Sequence, residues 1–271
     1  MLKVPKIRFP NAAVLAIAAG MSLATAPAKA FTVYYTGCAG GSFCTMDELF
    51  QGGTITVDED SNGTIDKMFN SWELVGSSNS FPSSLTPPSA SNIEVSAYDA
   101  GPLDVGLKYN ILNNDFQIDN NNIGTQFLGL EYRFKVIPSA QFPLIGSTYS
   151  LTNATTSSGG SVPGLGAVVI AGALTSLTNG SSVNGIVSQS SYGSLPTDIV
   201  SPTALPLASK AGFLVDNNIA ITTISSPTSK GTAKLKEFRQ TFSKMQVPEP
   251  GTIVGLLAFG GLCLVMKRNK F

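Results

Sequence analysis

The sequence predicts an all-β fold: a β-sandwich-like domain of many short antiparallel strands. Short runs of β-branched and aromatic residues alternate with Gly, Asn, Ser and Pro along most of the chain. Turn signals recur about every 8–12 residues, a spacing typical of sandwiches. No segment between residues 31 and 246 has a good helical period. We expect this domain to be flanked by an N-terminal signal helix and a C-terminal hydrophobic helix.

One hairpin is predicted at residues 52–75. A strand with the sequence TITV is followed by a polar turn at Asn62-Gly63 and by a returning arm, TIDKMFNSWEL. Asn-Gly pairs favour hairpin turns because both residues tolerate positive φ. Neither face of the returning arm is cleanly apolar, which indicates a bulge or register change.

The clearest strand is FLGLEYRFKVIPS, residues 127–139. Its apolar residues alternate strictly with Gly, Glu, Arg and Lys, which predicts a strand with one buried face. The segment 230–244 is basic and fits neither helical nor strand period well, and we interpret it as the last strand. Residues 77–92 form a Pro/Ser-rich loop, and the core is hardest to predict within 153–210. Further strands are expected at 31–36, 91–101, 103–112, 146–153, 166–176 and 217–226.

The first 30 residues have the organisation of a secretory signal peptide. A basic start is followed by an apolar, Ala-rich stretch and by the small-x-small sequence Ala28-Lys29-Ala30. These features predict export and cleavage by signal peptidase before Phe31. The alternative, a retained membrane anchor, is disfavoured because the apolar run is short.

Charge and histidine content exclude several classes of function. Between residues 31 and 246 there are 16 acidic and 10 basic residues, which argues against a nucleic-acid partner. The chain contains no histidine, so a Ser-His-Asp triad and the commonest zinc ligand are both missing. We predict no enzymatic activity, although an anchored hydrolase that uses two carboxylates stays open.

Two of the three cysteines, Cys38 and Cys44, lie in a Gly-rich loop. In an oxidising compartment this arrangement predicts a disulfide bond. A ring this small stabilises a domain by about 2 kcal/mol in the chain-entropy model.

The stretch DEDSNGTID, residues 58–66, is the most chemically suggestive in the domain. Asp58, Asp60, Asn62 and Asp66 occupy positions 1, 3, 5 and 9 of a calcium loop, and Gly63 occupies the turn position. Phe69 stands where an EF-hand has its bidentate glutamate. We therefore favour an acidic hairpin turn over a calcium site. No other cofactor is expected.

Aromatic residues could also form a sugar-stacking surface, with Trp72 as its most prominent member. A single Trp beside a hairpin is more often part of the core. The other candidates for such a surface are Tyr34, Tyr35, Tyr98 and Tyr109.

The segment 247–271 ends the chain with three features in a fixed order. Pro248-Glu249-Pro250 precedes an apolar run interrupted by glycines, and the basic residues Lys267, Arg268 and Lys270 follow. The run is marginal for a membrane-spanning helix, which needs about 20 apolar residues. The prolines keep helix from extending into the domain and hold Glu249 in an extended backbone.

These 25 residues, VPEPGTIVGLLAFGGLCLVMKRNK and the last Phe, resemble the PEP-CTERM sorting segment of bacterial surface proteins, particularly cyanobacterial ones. The resemblance implies export through the Sec translocon and recognition by a membrane exosortase. It further implies delivery to the cell envelope or an exopolysaccharide matrix, with transient or stable anchoring in the inner membrane. By the same resemblance, Pro248, Glu249 and Pro250 are the recognition motif and the basic cluster is a retention signal.

The chain therefore divides into a signal peptide (1–30), an exported β-rich domain (31–246) and a sorting or anchor segment (247–271). The sequence favours a structural or adhesive component of the cell surface or extracellular matrix. A carbohydrate-binding module with a calcium-assisted loop at 58–66 is the main alternative, and an anchored hydrolase is the second.

Overall fold

The computed structural model describes residues 31–79, 85–101, 104–120, 123–139, 143–160, 164–190 and 210–244. These segments form two antiparallel β-sheets that enclose a common core, as the all-β prediction requires. No helix in these segments is long and apolar enough to cross a membrane. The predicted signal helix and C-terminal hydrophobic helix lie outside the described residues.

The larger sheet has seven strands in the order β1-β3-β4-β8-β12-β10-β11. Its central strands are longer than the short strands that the sequence predicts: β12 pairs with β8 in uninterrupted register from Phe213–Val136 to Ser225–Gly124. The strands are β1 (Thr32–Thr36), β3 (Thr54–Asp58), β4 (Lys67–Asn79), β8 (Gly124–Pro138), β10 (Leu165–Ser176), β11 (Ser182–Ser190) and β12 (Phe213–Ser225).

The smaller sheet is organised around β13, the last strand of the described chain. One side of β13 pairs with β6 and β7, and the other side pairs with β9 along nearly its whole length. β5 and β2 continue the sheet beyond β6. The strands are β2 (Cys44–Thr45), β5 (Ile93–Asp99), β6 (Asp104–Ile111), β7 (Gln117–Asn120), β9 (Leu144–Gly160) and β13 (Ser229–Lys244).

The returning arm of the predicted hairpin contains the expected bulge. Lys67 and Phe69 point inward, and Trp72 also points inward although it lies three positions after Phe69. Ser71, with φ of 53°, absorbs the extra residue between them. The register of β4 against β8 shifts at the same place, between Asn70 and Glu73. The bulge explains why the sequence shows no apolar face.

The last strand has a similar irregularity. Its pairing with β9 shifts around Leu235, Glu237 and Phe238. Leu235 and Phe238 are both buried despite their odd spacing. The prediction of a strand at 230–244 is confirmed, and the shift explains its broken period.

Within the described part of the domain, the expectation of no helix is wrong in one place. Helix α1 (Met46–Phe50) follows β2 and buries Met46 and Leu49. Thr45 caps the first turn, and the Glu48 carboxylate accepts the Thr45 N–H in return, at 2.7 Å. This reciprocal capping box stabilises the helix start even in so short a helix. A single 3-10 turn (Ala90–Asn92) leads into β5.

An aromatic cluster occupies the centre of the core. Trp72 stacks on Phe134 with ring centroids 4.2 Å apart, and Tyr109 stacks on Phe238 at the same separation. Tyr132 lies between the two pairs, 6.3 Å from Trp72 and 5.9 Å from Tyr109. Tyr132 and Tyr109 belong to different sheets and their rings are tilted by 49°, so the two stacked pairs are joined across the core by a tilted aromatic contact.

Asn217 is the centre of a buried polar network between the sheets. It accepts a hydrogen bond from the Tyr149 hydroxyl at 2.7 Å and donates to the Tyr132 hydroxyl at 3.0 Å. It also donates to the Gln240 side chain at 2.9 Å, and Gln240 donates to Ser147. Since unsatisfied polar groups are costly in a core, these bonds select one arrangement of the sheets.

Tyr149 of this network fits beneath a glycine of the opposite sheet. A Cβ atom on Gly172 would overlap the Tyr149 hydroxyl and would approach Asn217 Oδ1 to 2.7 Å. We expect Gly172→Ala to lower the free energy of unfolding by about 1–3 kcal/mol through overpacking. Tyr149→Leu should also destabilise, but the double variant should lose less than the sum, because the smaller side chain makes room.

Urea unfolding of the four proteins measures this coupling. Gly76→Ala is the matched control, since a Cβ atom there would meet nothing within 4 Å. Strictly additive losses would contradict the described contact.

Candidate functional site

The hairpin loop between β3 and β4 is closed by its own side chains. The Asp58 carboxylate accepts the backbone N–H groups of Asn62 at 3.2 Å and of Gly63 at 2.8 Å. The Asn62 side-chain oxygen accepts the Thr64 N–H at 2.7 Å. Ser61 and Gly63 have positive φ, of 49° and 85°. Short polar side chains and a glycine are the residues that such a turn needs.

Asp58 is buried at the base of this loop. Burial raises the pKa of its carboxyl, but the hydrogen bonds from Gly63 and Asn62 outweigh burial and leave the pKa below its ordinary value. The charged carboxylate therefore stabilises the fold at pH values above its ordinary pKa. This stabilisation is lost as the pH falls through the lowered pKa of the folded protein.

The structure brings three of the four predicted calcium ligands together. Oxygen atoms of Asp58, Asp60 and Asp66 lie within 4.8 Å of one another. Their oxygens already have partners, however: Asp66 accepts the Glu59 N–H at 2.8 Å and faces the Lys244 ammonium at 3.7 Å. The hydrogen bonds favour the turn interpretation over the calcium interpretation.

The two interpretations predict different responses to calcium. Because the carboxylates are already satisfied, we expect about 1 mM CaCl₂, a concentration that saturates many extracellular sites, to leave the melting temperature unchanged. Differential scanning calorimetry with CaCl₂ and with MgCl₂ measures this. A rise specific to calcium that is lost in Asp60→Asn would instead establish the calcium loop.

Behind the loop lies a buried charge cluster, formed by Glu59, Asp66, Lys67 and Lys244. Glu59 Oε1 is 3.0 Å from Lys67 Nζ, and Glu59 Oε2 contacts Lys244 Nζ. All four side chains are at most 7% exposed. Two carboxylates and two ammonium groups thus lie together at one end of the sandwich.

Lys67 links the two sheets through this cluster. It is the first residue of β4 in the larger sheet, and its Nζ donates to the Val105 and Phe242 carbonyls of the smaller sheet, at 3.3 and 2.6 Å. Burial lowers the pKa of Lys67 to about 8, and Glu59 partly opposes this shift. The ammonium is held by three acceptors, which a buried charge requires.

Sequence reasoning missed the charge cluster. The only signal was the two-residue period of the strands. Lys67 is two residues from the apolar Phe69, and Lys244 is two residues from Phe242, so each lysine falls on the inward face of its strand. A lysine at an inward position is unexpected, since lysines are almost never fully buried unless paired. That anomaly indicates a buried acidic partner without naming it.

The lowered pKa predicts a stability change at alkaline pH. Between a pH of about 8 and the ordinary pKa of 10.5, Lys67 keeps its proton in the unfolded chain but has largely lost it in the folded protein. The free energy of unfolding should therefore rise with pH across this window, by about 1–3 kcal/mol from this residue. Urea titrations of the wild type and of Lys67→Met at several pH values measure the difference.

Lys108→Met serves as the control, because Lys108 is partly exposed and pairs with Glu237 at 3.0 Å. If the free energy of unfolding changed with pH in the same way in the wild type and in Lys67→Met, the lowered pKa of Lys67 would be refuted.

The proposed sugar-stacking residues do not share one surface. Trp72 and Tyr109 lie in the core, 6% and 0% exposed. Tyr98 packs under the Arg239 guanidinium at 4.3 Å, and the half-buried Tyr35 accepts the Ala97 N–H. Tyr34 is exposed on edge strand β1. These positions do not support an aromatic platform built from this set.

A groove of about 430 Å³ lies on the outer face of the larger sheet. Its floor is made of small residues of β10 and β11, and Ile186 is half exposed beside it. Asn184 and Asn218 place amides in the groove, and Glu131 and Asp216 place carboxylates there. Such groups can hydrogen-bond hydroxyls. The Asp216 carboxylate also accepts a bond from Arg133 at 2.9 Å.

The cysteine pair is joined as the sequence predicts. Cys38 and Cys44 form a disulfide bond with their Cα atoms 5.0 Å apart, next to α1. Cys44 is fully buried. The Glu48 carboxylate also accepts the Ala39 N–H, which attaches the disulfide loop to the helix.

The remaining sequence-predicted sites lie outside the described residues. They are the cleavage site Ala28 and Ala30, the motif Pro248, Glu249 and Pro250, and the basic cluster Lys267, Arg268 and Lys270.

Comparison with known proteins found no match for this chain among protein families, curated proteins or solved structures.

Proposed function

We propose that this chain is an exported protein of the cell surface or extracellular matrix, with a structural or adhesive role. We further propose that an exosortase sorts it by its C-terminal segment. The observation that carries the proposal is the order of features in 247–271: Pro248-Glu249-Pro250, an apolar run, and a basic cluster.

The position of β13 in the fold supports a load-bearing role. β13 ends at Lys244, only a few residues before Pro248, and it is paired on both sides within the smaller sheet. A pull on the C-terminal segment would therefore act along a central strand. Such a pull has to shear two ladders of hydrogen bonds together, rather than peel one strand from an edge.

The disulfide supports the assignment to an oxidising compartment, since such bonds are rare in the cytosol. The outer groove supports the adhesive part of the proposal. It offers amides and carboxylates beside a floor of small side chains, an arrangement suited to the hydroxyl groups of an exopolysaccharide.

The sorting step is tested by the chain ends of the full-length protein, produced in a bacterium that encodes an exosortase. For the wild type we expect a mature chain that begins at Phe31 and lacks the apolar run. For Glu249→Ala we expect a chain that is cut at Phe31 but keeps its C-terminus to Phe271, in the membrane fraction. Intact mass spectrometry of the membrane and released fractions distinguishes the two.

Thr252→Ala is the matched control, because it lies beside the motif and outside it. Equal processing of the wild type and Glu249→Ala, or retention of Phe271 in both, would refute exosortase sorting. A soluble wild-type protein left in the cytoplasm with residues 1–30 attached would refute export itself.

A further inference from the structure

Lys244 and Asp66 face each other inside the buried charge cluster. Lys244 is the last residue of β13, and Asp66 immediately precedes β4 in the opposite sheet. Lys244 Nζ lies 3.7 Å from Asp66 Oδ1, and the two side chains are 6% and 7% exposed. The amine is therefore near the carboxyl group but too far for a good hydrogen bond.

The backbone holds the Asp66 carboxyl in place. Its Oδ2 accepts the Glu59 N–H at 2.8 Å, so Oδ1 is the atom turned toward Lys244. The Asp66 N–H donates to the Val57 carbonyl and the Asp66 carbonyl accepts the Ser139 N–H, both at 2.7 Å. Held in this way, the carboxyl carbon is a fixed target for a nucleophile.

Glu59 is placed to move protons between the two groups. Its Oε2 contacts Lys244 Nζ, while Lys67 holds Oε1 at 3.0 Å. A carboxylate that contacts an amine can accept its proton and return that proton to a leaving oxygen. A nucleophile, a base and an electrophile thus lie together at a site with little access to water.

We propose that Lys244 and Asp66 join in an intramolecular isopeptide bond, formed without a cofactor and assisted by Glu59. This inference goes beyond the proposed function and does not depend on how the C-terminal segment is processed.

The step balances without a co-reactant. The neutral Lys244 amine attacks the carboxyl carbon of protonated Asp66, forming a C–N bond and a tetrahedral intermediate. Glu59 takes a proton from the nitrogen and delivers it to a hydroxyl on that carbon, which leaves as water. The product is a secondary amide, one water lighter than the two side chains. Burial raises the pKa of the Asp66 carboxyl, which favours its protonated, electrophilic form.

Lys67 is not the nucleophile in this proposal. Its Nζ donates to the Val105 carbonyl, the Phe242 carbonyl and Glu59, which uses all three protons of the ammonium. Lys67 therefore acts as a positioning residue for Glu59 and as a fixed positive charge beside it.

The bond would join the end of the central strand of one sheet to the start of a central strand of the other. A force entering at the C-terminal segment would then pass from β13 through a covalent link into β4. The part of the domain between Asp66 and Lys244 would then be bypassed by the covalent link, and its non-covalent contacts would not carry that force.

The wild-type protein alone tests the proposal. Full-length protein, purified under denaturing conditions after reduction and alkylation, should be lighter by one water than its reduced and alkylated sequence requires. Trypsin should release a branched peptide in which the segment ending at Lys67 is attached through Asp66 to the segment beginning at Gln240. Tandem mass spectrometry of that peptide locates the bond. A full mass and two separate linear peptides would show an ion pair only, and would overturn the proposal.

Three variants test the assigned roles. Lys244→Met should have the full mass that its sequence requires, whereas Lys67→Met should still be one water lighter than its sequence requires. Glu59→Gln should fold but remain mostly unlinked, because the amide cannot accept the amine proton. A mass one water too low in Lys244→Met, together with the full sequence mass in Lys67→Met, would overturn the choice of lysine. Bond formation at the wild-type rate in Glu59→Gln would overturn the role of Glu59.

Discussion

The architecture depends on how the Lys67 ammonium is satisfied. A buried charge with too few acceptors would cost several kcal/mol, so every strand that supplies an acceptor is constrained in position. Val105 of β6 and Phe242 of β13 must present their carbonyls to β4 across the sandwich, and the loop before β4 must place Glu59 inward. A purely apolar interface would be compatible with several offsets between the sheets. The lysine is compatible with one.

The Asn217 network imposes the same requirement deeper in the core. Asn217 lies on β12 and its hydrogen-bond partners lie on β8, β9 and β13, so both sheets contribute to the network. Together the charge cluster and the network define the relative position of the sheets at two separated places. The stacked aromatic rings then fill the volume between them. Apolar area supplies most of the driving force, and the polar contacts select the arrangement.

Much of the fold was readable from local patterns, and the failures share a cause. β8 was predicted down to its buried face, because Leu128, Leu130, Tyr132, Phe134 and Val136 alternate without interruption. The hairpin and the last strand were also recognised, although their bulges obscured the period. β7 and β11 were missed because their short runs contain few apolar residues. α1 was missed because five residues show no period, although the Thr45–Glu48 capping box was visible in the sequence.

The candidate site was half predictable, for a physical reason. Loop residues close in sequence, such as Asp58 and Asn62, revealed their turn through type and spacing alone. Lys244 reaches the same place from the far end of the domain, and no local pattern can indicate such a partner. The Asp66 carboxylate, which looked like a ligand for an ion, faces the Lys244 ammonium instead. A local sequence pattern can indicate that a charged side chain is buried, but only the fold shows which distant residue carries the opposite charge.

The bulge at Ser71 has a consequence for how this chain can change in length. Between Asn70 and Glu73 strand β4 contains one residue more than the facing part of β8. In the regularly paired parts of the sheet, a one-residue deletion would turn every following side chain to the wrong face. Here the same deletion would restore regular pairing and would still direct Trp72 inward. In related chains, position 71 is therefore one place where a gap in β4 can be accepted without the loss of the core.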